Sequence, residues 1–139
     1  MIRIVFYYLL LFAVVAVAFR RGDRETRVVS CVCLAASLLS ALLMTFHTQV
    51  AVGVAIVDLS VLILFIAVAL RTERFWPLWV SGLQLTTVLG HVLRLLEPGL
   101  VNIAYAAAMR FWGYPILLIV MAAAVRSQRY RPRETLSAA

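Results

Sequence analysis

Apolar residues fill this chain in long runs, and the polar positions between them fall in short clusters. The first run, 4–19, ends at Arg20-Arg21-Gly22-Asp23-Arg24-Glu25-Thr26-Arg27. From Val28 to Leu70 there is no proline and one glycine, Gly53; the main polar breaks are His47-Thr48-Gln49 and Asp58. A membrane-crossing helix needs about 20 mostly apolar residues, so a stretch about twice that long predicts an antiparallel helical pair turning near Thr48. Arg71-Thr72-Glu73-Arg74 closes the pair and Phe75-Trp76-Pro77-Leu78-Trp79 opens the next run. Pro77 suits a first helical turn, where its missing N–H costs nothing, and Trp76 and Trp79 suit the membrane interface. Pro98-Gly99 is a strong turn signal before a last run that reaches Val125.

The pattern predicts an all-α, polytopic membrane helix bundle with five transmembrane helices, at about 4–19, 28–47, 50–70, 77–97 and 102–125. Residues 1–125 would form a single transmembrane domain, followed by a basic tail, 126–139.

Composition agrees with that architecture. Hydrophobic residues make up 65% of the 139 and charged residues 14%, against about 45–50% and 25% in soluble domains. The net charge of +7 would suit a nucleic-acid partner only if it formed a patch. Here the cations sit in short runs between apolar stretches, so they carry topology and no nucleic-acid partner is expected. All are arginine. Arg20, Arg21, Arg24, Arg27, Arg71, Arg74, Arg126, Arg129, Arg131 and Arg133 fall on one side of the predicted bundle; Arg3 and Arg94 fall near the other. The positive-inside rule then places the amino terminus outside and the carboxyl terminus in the cytoplasm. Ala16-Val17-Ala18 has the small-residue character of a signal-peptidase site. The heavier charge after the run is the reverse of a secretory signal, so the run is expected to stay as a span.

Three patterns suggest chemistry. Ser81, Gln84, Thr87, His91 and Arg94 recur at steps of three and four, which places them on one helical face. Lipid cannot satisfy an amide or an imidazole, so this stripe should face other helices or a wet cavity. Ser30, Cys33, Ser37, Ser40, Met44 and His47 make a second stripe whose small residues suit close helix packing. Asp58 and Arg110 each lie roughly 12 Å from the external side at 1.5 Å per residue, and His91 falls near the same level.

An acid, a base and a titratable ring are thus expected to form an intramembrane polar cluster of Asp58, His91 and Arg110. Its plainer reading is a fixed Asp58–Arg110 ion pair that sets helix register, with His91 hydrogen-bonded to Asp58. Its sharper reading is a proton or solute site open to the outside, with His91 titrating near neutral pH, Asp58 holding or exchanging the proton, and His47, Arg94, Glu97 and Tyr105 near the mouth. A b-type haem between His47 and His91 is a further alternative, although His47 lies nearer the surface by a turn or more.

Cys31 and Cys33 point about 200° apart on a helix, so they cannot share a metal and read as packing residues. No phosphate loop, Ser-His-Asp order, paired-carboxylate motif or metal-ligand cluster is visible. The expectation is therefore no enzyme, no catalytic residue, no bound metal and no cofactor.

The stretch from Arg71 to Trp79 with Gln84, His91 and Arg94 resembles a group of small bacterial inner-membrane proteins without an assigned activity, best between Asp58 and Met109. The resemblance implies a multi-pass protein of the bacterial inner (plasma) membrane and transfers no chemistry. The chain departs from the small multidrug-resistance transporters, which carry a glutamate in the first span where this chain has no acid. The leading functional expectation is an accessory or scaffold subunit of a membrane assembly, with the lipid bilayer and a membrane-protein partner or a homo-oligomer as its surroundings. The alternative is a small oligomeric proton-coupled transporter or channel using Asp58, His91 and Arg110.

Overall fold

The computed structural model describes residues 2–46, 50–97 and 102–127. They form five helices: α1 (Ile2–Arg21), α2 (Arg24–Phe46), α3 (Val50–Arg71), α4 (Trp76–Leu96) and α5 (Asn102–Ser127). A helix satisfies its own backbone, which is what a chain so poor in polar side chains requires in lipid.

The Arg20–Arg27 cluster is drawn into helix at every position except Gly22 and Asp23. Gly22 N–H donates to the Ala18 carbonyl at 2.9 Å and ends α1. A side chain at Gly22 would collide with Thr26 Oγ1 and the Ala18 carbonyl, so only glycine allows so short a turn. Asp23 stands just before α2: its carbonyl accepts from Arg27 N–H at 3.1 Å, and the Thr26 hydroxyl is shared between Asp23 Oδ1 at 2.8 Å and that carbonyl at 2.9 Å. Between α3 and α4, Arg74 N–H donates to Thr72 Oγ1 at 3.3 Å, and Pro77 takes the first turn of α4 as its lack of an N–H predicts.

Each helix packs on its sequence neighbour and α5 returns against α1 and α2, so the five close into a ring. The Ser127 hydroxyl donates to the Arg21 carbonyl at 2.9 Å, which places the ends of α1 and α5 together. Arg74 pairs with Asp23, which brings the α3–α4 turn to that same end. One end of the bundle therefore gathers both charged turns and the close of α5.

The core takes side chains from all five helices: Leu11 and Val14, Val29 and Cys33, Val57, Val61 and Phe65, Val80, then Ile116, Leu117 and Val120. Outside it the molecule is apolar. Leu9, Phe12, Leu42, Ile63, Leu89 and Leu118 are exposed, and Leu70 and Trp79 are 80% and 70% exposed, whereas Thr26, Ser30, Ser81, Gln84 and Thr87 are buried. That distribution suits a lipid solvent, in which outward Leu and Ile cost nothing and inward hydroxyls and amides find partners.

Among the described residues three helices are long and apolar enough to cross a membrane, with windows at Ile4–Arg21, Arg24–Leu43 and Val52–Arg71; the apolar part of α5, Phe111–Ser127, is shorter. An average over α4 includes Ser81, Gln84, Thr87 and His91, which lowers its hydropathy although the first three of these are buried within the bundle.

Candidate functional site

The buried face of α4 is Pro77, Val80, Ser81, Gln84 and Thr87; farther along the same stripe His91 is half-buried and Arg94 exposed. The hydroxyls are satisfied within α4: Ser81 donates to the Pro77 carbonyl at 2.8 Å and Thr87 to that of Leu83 at 3.4 Å. An amide is too long and too polar for that solution. Gln84 instead reaches α3, where its Nε2 donates to Asp58 Oδ1 at 3.1 Å and to the Asp58 carbonyl at 3.2 Å.

His91 lies two helical turns beyond Gln84 on the same face, and its Nε2 meets Asp58 Oδ2 at 2.8 Å. Both carboxylate oxygens thus have a partner on α4. An ionised carboxylate only accepts, so the imidazole supplies the proton of that contact. The side chains of His91 and Asp58 are 12% and 21% exposed, so the pair is mostly enclosed but not sealed.

A second polar contact crosses α1 and α2. The hydroxyls of Tyr7 and Ser37 are 3.0 Å apart, and Tyr8 donates to the Ser37 carbonyl at 3.5 Å. Tyr7 also packs edge-on to Tyr114 with centroids 5.7 Å apart. Reading the sequence for charge and periodicity passed over Tyr7; a hydroxylated ring inside an apolar run was the available signal.

The other expected residues are placed as follows. Ser30 and Cys33 are buried and Ser37 and Ser40 half-buried, while Cys31 is exposed, so the two thiols do diverge. Arg94 and Glu97 have exposed side chains toward the far end of α4. His47 lies outside the described residues. Tyr105 and Arg110 belong to α5, but their side chains, like that of Met44, also lie outside what is described. Among the described residues no group of three His, Cys, Asp or Glu side chains could hold a metal.

Comparison with known protein families, with curated proteins and with solved structures gives no match for the chain.

Proposed function

We propose that the chain is a small multi-pass protein of the bacterial inner membrane that takes up and releases protons at Asp58 and His91, as a proton-coupled transporter or channel. The observation that carries this reading is the 2.8 Å contact between Asp58 and His91, braced by Gln84. Ionisable groups inside a membrane bundle are costly and mark ion or proton paths by default. In this reading all five helices cross the membrane, the amino terminus is outside and the end with both arginine-rich turns is cytoplasmic.

Reconstitution into vesicles with an internal pH dye tests it. Proton flux should fall to the protein-free level in Asp58→Asn and in His91→Gln while both variants accumulate normally. Wild-type flux no greater than that of empty vesicles would end the reading. Fusing a fluorescent protein and a phosphatase to the carboxyl terminus tests the orientation: only the fluorescent protein should be active.

A second reading is favoured by a separate observation. Between the described helices the turns are as short as Gly22–Asp23 and residues 72–75, which suits a protein that acts through membrane partners. It would then be an accessory or scaffold subunit, with Asp58, Gln84 and His91 as an internal brace. A stable companion recovered after mild detergent extraction would favour this reading; a pure homo-oligomer would favour transport.

A further inference from the structure

The end of the bundle that gathers the two turns is strongly basic. Arg20, Arg21, Arg24 and Arg27 surround the first turn, Arg71 and Arg74 the second, and Arg126 stands at the close of α5. Among the described residues the acids at that end are Asp23, Glu25 and Glu73. Asp23 and Glu25 both converge on Arg74, Glu25 at 3.9 Å, and the other oxygen of Asp23 takes the Thr26 hydroxyl. Arg27 is folded back: its guanidinium lies 6.0 Å from the centre of the Phe19 ring and its Nε donates to the Ala18 carbonyl at 3.4 Å.

Arg20, Arg21 and Arg24 differ from these. All three are exposed, and among the described residues no carboxylate lies within ion-pair distance of them. The Ser127–Arg21 bond sets the end of α5, with Arg126, at the same corner. From there an exposed apolar face descends α1 through Phe19, Ala16 and Phe12.

We propose that Arg20, Arg21 and Arg24, with Arg126 beside them, bind the phosphodiester headgroup of an anionic phospholipid. Guanidinium groups engage phosphate oxygens in pairs, which an ammonium does not. The face below the arginines is what selects a lipid over a soluble phosphate: Phe19 and Phe12 offer acyl chains an apolar track starting at the cations. Anionic leaflets attract each such arginine, and clustered arginines add their effects.

Native mass spectrometry of the detergent-purified protein, mixed with equal amounts of phosphatidylglycerol and phosphatidylcholine, tests this. Phosphatidylglycerol should be retained preferentially. The triple change Arg20→Gln, Arg21→Gln and Arg24→Gln should weaken that retention about a hundredfold, and the corresponding triple change to Lys should weaken it less. If the triple Gln protein does not accumulate, Arg24→Gln alone, which leaves most of the topogenic charge, should show a partial loss. Equal retention of the two lipids by the wild type, or unchanged preference in the Gln variants, would overturn the proposal. So would displacement of the lipid by inorganic phosphate at comparable concentration.

Discussion

Asp58 on α3 and His91 on α4 stand 2.8 Å apart, oxygen to ring nitrogen, although 33 residues separate them in sequence. Gln84 takes the remaining carboxylate oxygen at 3.1 Å, so one face of α4 grips a single acid at two points. Because the grip spans two helical turns, it fixes both the rotation and the register of α4 against α3.

The Asp58–His91 contact should show as coupling. Asp58→Asn and His91→Gln should each destabilise the bundle, and the double variant should cost less than the sum of the two by about 0.5–3 kcal/mol. Thermal unfolding in detergent measures all four proteins. Strict additivity would mean that the two side chains do not interact.

Gln84→Glu introduces a second carboxylate beside Asp58. Two adjacent carboxylates repel each other and the Gln84 donor is lost, so the variant should be less stable than the wild type at neutral pH. Gln84→Leu should lose about 1–3 kcal/mol, because it removes a donor without adding charge. Thermal unfolding in detergent should rank Gln84→Glu below Gln84→Leu.

The glycines should separate by position. Gly22→Ala forces a methyl group against Thr26 Oγ1 and the Ala18 carbonyl and should cost about 1–3 kcal/mol. At Gly82 an added methyl meets nothing within 4 Å, and the residue is in the interior of α4. Gly82→Ala should be neutral or stabilising by up to about 1 kcal/mol. Equal melting temperatures for the two variants would contradict the α1–α2 turn described above.

Asp23 does two jobs, accepting the Thr26 hydroxyl at the start of α2 and pairing with Arg74, so Asp23→Ala should cost more than Arg74→Gln. The side chains of Arg74 and Asp23 are 40% and 28% exposed, which limits the ion pair to about 1 kcal/mol or less. Added salt should shrink the Arg74→Gln effect and leave most of the Asp23→Ala effect, since the Thr26 hydrogen bond is not screened. Denaturation in low and high salt makes the comparison.

The thiols should react according to their faces. Cys31 is exposed and Cys33 buried, so a membrane-permeant maleimide should label wild type and Cys33→Ala alike, and Cys31→Ala far less. Rapid labelling of Cys31→Ala would place Cys33 outside the core.

Much of this molecule follows from one-dimensional pattern. Apolar run length and the polar breaks determine five helices, and the steps of three and four from Ser81 through Gln84 and Thr87 to His91 determine which side of α4 turns inward, because a helix converts spacing into a face whatever surrounds it. The near-equal depth of Asp58 and His91 is likewise a matter of counting residues from the membrane surface. Partnership is different. That Gln84 joins the pair, that Tyr7 finds Ser37, and that Arg74 rather than a nearer arginine neutralises Asp23 and Glu25 depend on how the helices are rotated and which of them adjoin. Those choices come from packing Phe65, Val80 and Leu117 into one core, a constraint shared by all five helices and written in no single one of them.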